Sequence, residues 1–146
     1  MQTFLPYPDF AATAAVLDPR RLGKQRVETL QVLRGLTLPG HGWRHHPAVR
    51  MWRGYEEALV RYGWAMCGAW TAAGRADTCA SSLGGDFAAL RPGGRVRAYD
   101  ELARAGELPN WLGDPAFHLS HRSALVTKAP EFYLCSWPVL CPLGRG

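Results

Sequence analysis

Asp18-Pro19 opens a run, reaching to about Leu36, in which apolar residues return at helical spacing: Leu22, Val27, Leu30, Leu33 and Leu36. Aspartate is a favoured N-cap and proline suits the first helical position, so this dipeptide starts a helix that Pro39-Gly40 then ends. Asp9 caps a shorter helix over Phe10–Leu17, and Asp114-Pro115 repeats the start signal for a helix over about 115–128. No stretch alternates at period two, so strands are not expected. The fold class read from this pattern is all-α: a single compact domain over residues 1–146, with several helices, long irregular loops and an irregular tail.

The remaining segments complete that expectation. Thr37–Pro47 is a Gly- and Pro-rich loop. One long helix is expected from Pro47 to Ala73, with Met51, Tyr55, Leu59, Tyr62 and Met66 as its apolar stripe. Gly54, Gly63 and Gly68 weaken it and permit close packing. Residues 74–96 read as loop with one short helix, Tyr99–Ala105 as another short helix, and the chain from Ala129 as irregular.

Charge narrows the function. Between residues 19 and 53 lie 8 basic residues and one acid, Glu28, although the whole chain of 146 residues carries only +5. The remainder is mildly acidic, so the cationic character is local, and it favours a polyanion such as nucleic acid over a neutral metabolite. A chain 47% hydrophobic and 20% charged has ordinary globular composition rather than that of a disordered tail. No apolar run approaches the roughly 18–20 residues that span a bilayer. The N-terminus lacks a basic region followed by an apolar one, so no secretion signal is expected. Cys67, Cys79, Cys135 and Cys141 form no C-x-x-C pair and read as reduced thiols. Cytoplasmic, nucleoid-associated residence, a monomer and no membrane partner follow as expectations.

Arg21, Lys24, Glu28 and Gln31 share one stripe of the Pro19–Leu36 helix. The plainest reading is a solvated face with a Lys24–Glu28 ion pair worth about 0.3–0.5 kcal/mol. The chemical reading is an amine and a carboxylate one turn apart. Cations beside an amine favour its free base, and a nearby carboxylate can relay a proton or stabilise positive charge at a sugar carbon. Arginine outnumbers lysine 15 to 2, which singles out Lys24 and Lys128, because a guanidinium stays protonated and cannot serve as an amine nucleophile.

His41, His45, His46, His118 and His121 could assemble a metal site, with His118 and His121 at i, i+3, but no metalloenzyme template accompanies them and no metal or cofactor is expected. Aromatic residues interleave with cations: Trp43 beside Arg44, and Trp52 beside Arg53 with Tyr55 following. Such rings stack on exposed bases or wedge a duplex, or they belong to a core. The candidate DNA contacts are Arg20, Arg21, Arg26, Trp43, Arg44, His45, His46, Arg50, Trp52, Arg53 and Lys128.

The run Leu17-Asp18-Pro19-Arg20-Arg21-Leu22-Gly23-Lys24-Gln25-Arg26-Val27-Glu28 is similar to the early helix of the pyrimidine-dimer DNA glycosylase family, the phage endonuclease V type. His46-Pro47 with Trp52 and Tyr55 resembles a further block of that group. The likeness covers roughly residues 1–70, and His118–Tyr133 loosely. It implies a compact helical fold, recognition of damaged double-stranded DNA through its backbone and an extrahelical nucleotide, and no metal. It also implies attack by an N-terminal α-amine on the sugar C1′, an imine that permits strand cleavage, and a supporting glutamate. Glu28 matches that glutamate and Arg26 the nearby arginine. Two departures stand out. The family pattern places arginine and glutamate side by side, whereas Val27 separates Arg26 from Glu28 here, rotating Glu28 by about a further 100°. Gln2, a large residue, ordinarily prevents removal of the initiator methionine, so the terminal amine belongs to Met1.

The leading expectation is therefore a DNA repair N-glycosylase, with possible AP-lyase activity, whose catalytic groups are Glu28 with Lys24 or Met1. The alternatives are a non-catalytic nucleic-acid-binding module on the same face and a histidine-based hydrolase of phosphorylated small molecules.

Overall fold

The computed structural model describes residues 1–140. It contains eight α-helices: α1 (Phe10–Val16), α2 (Pro19–Thr37), α3 (Pro47–Arg50), α4 (Glu56–Ala72), α5 (Cys79–Leu90), α6 (Tyr99–Arg104), α7 (Pro115–Lys128) and α8 (Pro130–Tyr133). A single 3-10 turn follows at Pro138–Leu140, and no strand occurs among the described residues. The three aspartate starts hold. Asp9 caps α1 through Ala12 N–H, Asp18 caps α2 through Arg21 N–H, and Asp114 caps α7 through Ala116 N–H.

Helices α2 and α4 form the central pair, with α1 and α5 laid against α4 and α5 also touching α2. Their close approach centres on Gly63, where a Cβ would come within 2.5 Å of Leu83 Cδ1 and 2.7 Å of Thr29 Cγ2. Around it Leu33, Val32, Leu59, Tyr62, Met66 and Leu83 are fully buried. Glu57 at the start of α4 anchors the segment before α6. Arg97 donates to it at 2.8 Å and Arg91 at 3.0 Å, and chiefly the Arg97 bonds pull its carboxyl down to about 2.

Several expectations need correction. The helix expected over Pro47–Ala73 is two helices, because the chain turns at 51–55. Gly54 takes a φ of +88° there, a left-handed conformation costly for other residues, and Glu56 Oε1 accepts its N–H. Met51 and Tyr55 thus leave the stripe, while Leu59, Tyr62 and Met66 keep it. Residues 79–90 form a full twelve-residue helix, since Asp77 accepts from Cys79 N–H and Ala80 N–H at its start. Part of the expected irregular tail is helical, at α8 and Pro138–Leu140. On α2, Val27 is 44% exposed and lies outside the core. The buried residues are Leu22, Gln25, Thr29, Val32, Leu33 and Gly35, and two of the six are polar. Cys67, Cys79 and Cys135 are free thiols, whereas Cys141 lies outside the described residues.

Candidate functional site

The segment before α1 runs extended between α2, α4 and α7, and side chains bond much of its backbone. Gln25 does most of this. Its Nε2 donates to Gln2 O and to Glu28 Oε2, both at 2.8 Å. Its Oε1 accepts from Phe4 N–H at 2.9 Å and from Tyr62 Oη at 2.7 Å. Tyr62 Oη also lies 2.6 Å from Phe4 O, and Trp52 Nε1 donates to Thr3 Oγ1 at 3.0 Å. From the other side, His121 Nδ1 accepts from Leu5 N–H at 2.9 Å and His118 Nδ1 meets Leu5 O at 2.7 Å. Because Nε2 of His118 accepts from Gly113 N–H, its Nδ1 must carry the proton and donate to Leu5. These bonds do for one strand what a sheet neighbour would do, and each is worth about 1 kcal/mol net.

The result is a fixed place for residue 1. Met1, Gln2 and Phe4 wall one side of a cleft of about 600 Å³, within the range of roughly 300–1,000 Å³ common for small-molecule sites. Arg20, Arg21, Lys24, Gln25 and Glu28 of α2 form another wall, and Ala124 and Lys128 of α7 close it. Both lysines of the chain line this one cleft. Four cations surround one carboxylate. The Lys24–Glu28 ion pair does not form: Glu28 Oε2 is bound by the Gln25 amide, and Oε1 has no bonded partner among the described residues. Arg21 is tethered to Asp18 at 3.3 Å, which leaves Arg20, Lys24 and Lys128 as the exposed cations of the rim.

Other candidates stand elsewhere. Arg26 points away from the cleft, paired with Asp77 and stacked 4.3 Å over the Trp70 ring. This corrects the expectation that Arg26 is a DNA contact, because its guanidinium is taken up by Asp77 and Trp70 on the far side of α2. Trp52 is fully buried and bonded to Thr3, so it serves the core and cannot stack on a base. His46 caps α3 by accepting Ala48 N–H, while Trp43, Arg44, His45, Arg50 and Arg53 are exposed around the turn before and after it. His118 and His121 are buried with their Nδ1 atoms committed to Leu5. No group of three or more histidine, cysteine or acidic side chains able to hold a metal occurs among the described residues. The histidine-built hydrolase site is therefore not assembled.

The sequence profile of the pyrimidine dimer DNA glycosylase family matches residues 1–82. The chain belongs to that family. Its general activity is thus that of a DNA repair glycosylase, with DNA as substrate. The match spans the N-terminal segment, α1–α4 and the Trp43 loop, but ends before α7, which supplies the histidine clamp and Lys128. No curated protein and no solved structure matches the chain at a significant level. No helix among the described residues is long and apolar enough to cross a membrane.

The clamp carries a pH dependence. Burial, with a smaller contribution from His118, pushes His121 from its ordinary 6.5 to about 4. As pH falls, the unfolded chain takes up this proton first, so the stability involved is present above pH 6.5 and lost between 6.5 and 4. The loss is on the order of 3 kcal/mol, and protonation of Nδ1 also removes the acceptor for Leu5 N–H. The protection factor of the Leu5 amide, its exchange rate relative to the intrinsic rate at the same pH, should fall as pH drops through that window in wild type. An unchanged protection factor would show that His121 does not hold the segment.

Proposed function

We propose that the cleft between the N-terminal segment, α2 and α7 is the catalytic centre of an N-glycosylase that works through an amine and an imine. The observation that supports it is the gathering of Met1, Lys24 and Glu28 on one cationic cleft, with the first residues of the chain clamped beside it. In this reading the damaged nucleotide leaves the duplex and enters the cleft, with Arg20, Arg21 and Lys128 against the flanking phosphates.

The unprotonated amine of Met1 or Lys24 gives its electron pair to the sugar C1′. The base departs with the electrons of the glycosidic bond and acquires a proton. Loss of the amine proton and opening of the sugar ring leave a protonated imine, whose positive charge Glu28 stabilises. Where cleavage follows, a proton leaves C2′, the 3′-phosphate departs, and water hydrolyses the imine to restore the amine.

Borohydride added during turnover of duplex DNA bearing a pyrimidine dimer tests this reading. Reduction of the imine should leave a covalent protein–DNA adduct. Salt-dependent binding with neither turnover nor adduct would instead make the chain a binding module. In the proposed mode, Arg20→Ala and Lys128→Ala each lower the slope of log K against log salt by about 0.9. An unchanged slope would remove that residue from the phosphate contacts.

A further inference from the structure

We propose that the loop bearing Trp43 is a second DNA contact, stacking its indole on a base of the duplex close to the damaged nucleotide; this rests on the cleft being the glycosylase centre. Trp43 stands apart from the other five tryptophans. Trp52, Trp64, Trp70, Trp111 and Trp137 all donate their indole N–H to a protein oxygen. Trp43 Nε1 has no such partner among the described residues, and its side chain is 46% exposed. A large aromatic held in water with a free donor is poor core material and good stacking material.

Its surroundings fit a polyanion. The chain has no acidic residue between Leu38 and Tyr55, while Arg44, His45, Arg50 and Arg53 are exposed there. Among the described residues none of the three arginines forms an ion pair. The loop is also braced. Arg44 donates to His41 O, Arg53 donates to Arg44 O, and the His46 ring meets the Trp43 ring edge-on at 5.6 Å. Little ordering cost remains for binding.

Position ties the loop to the cleft. Lys24, Glu28, Gln31 and Gly35 fall at spacings of four, three and four residues, along one face of α2. At Gly35 that face is covered by the loop: a Cβ there would lie 3.6 Å from Trp43 Cβ and 3.1 Å from the Val49 methyls. Seven helical residues separate Glu28 from Gly35, roughly 10 Å at 1.5 Å each. With α2 laid along the duplex in this mode and about 3.4 Å per base-pair step, Trp43 meets the DNA roughly three steps from the extruded nucleotide.

Duplexes carrying a tetrahydrofuran abasic analogue, with 2-aminopurine placed singly two to four steps away or eight steps away, test this without requiring turnover. Wild type should change the fluorescence at one of the near positions only, and Trp43→Ala should abolish that change and weaken binding about ten-fold or more. Trp43→Phe should retain most of both, and the salt slope should stay as in wild type. Borohydride trapping on a single-stranded abasic oligonucleotide, which reports the cleft more than the loop, should fall less than duplex binding. Wild-type affinity and fluorescence in Trp43→Ala, beside normal trapping, would overturn the stacking role and leave the glycosylase reading intact. Equal losses on single strand and duplex would also overturn it. A Trp43-dependent signal without any trapping in wild type would keep the contact and sink the cleft chemistry.

Discussion

Glu28→Gln should lower base release from lesion-bearing DNA by roughly 10²–10⁴-fold, the usual worth of a positioned acid–base group, while leaving the fold intact. The substitution keeps an oxygen for the Gln25 Nε2 donor, so the network around the N-terminal segment survives. What disappears is the negative charge facing the developing iminium. Among the described residues, the same change removes the sole carboxylate from a cleft lined by Arg20, Arg21, Lys24 and Lys128, so binding to DNA should hold or tighten. Single-turnover rates with equilibrium binding separate the two. Undiminished base release in a well-folded Glu28→Gln would remove Glu28 from the chemistry.

Gln25→Ala should harm both stability and catalysis. The side chain is 1% exposed; its amide makes two donations, accepts Phe4 N–H and shares the single Tyr62 hydroxyl proton with Phe4 O. Truncation leaves Phe4 N–H buried without its partner and opens a cavity beside Tyr62, a combination worth about 2–4 kcal/mol. In a chain of this size that corresponds to a melting temperature roughly 5–15 °C lower. It also releases Gln2 O, the tether nearest residue 1. Misplacement of a nucleophile by about 1 Å can cost roughly 100-fold. Trapping yield, measured well below the variant's melting temperature, should therefore fall by that order. A destabilised variant that traps as well as wild type would show that the clamp does not position the reacting amine.

What the sequence made legible follows from local chemistry. Asp9, Asp18 and Asp114 announce α1, α2 and α7 because a cap acts within three residues of itself, and the stripe of Lys24 and Glu28 follows from helical period alone. The break between α3 and α4 was hidden, since Gly54 within an otherwise helical pattern reads as a weak helix residue until its φ is known. Gln25 and Thr29 do not read as core residues because polarity ordinarily marks a surface. Gln25 is buried through partners more than twenty positions away, at Phe4 and Tyr62, while Thr29 returns its hydroxyl to Gln25 O and packs against Gly63. The histidine pair was conspicuous as a possible ligand set. Its actual work, holding both backbone groups of Leu5, needs the extended segment to run beside α7, and no spacing within 115–128 encodes that. Trp52 and Arg26 misled for a related reason: an aromatic or a cation in a basic stretch looks like a contact until Thr3 and Asp77 are seen to occupy it.

Mass-spectrometric mapping of the borohydride-reduced DNA adduct bears most directly on the account. The modified peptide should carry the sugar remnant on Met1 or Lys24, and its yield should collapse when that amine is blocked or replaced. An adduct on Lys128 instead, or base release with no reducible adduct, would contradict the assignment of the attacking nitrogen to Met1 or Lys24.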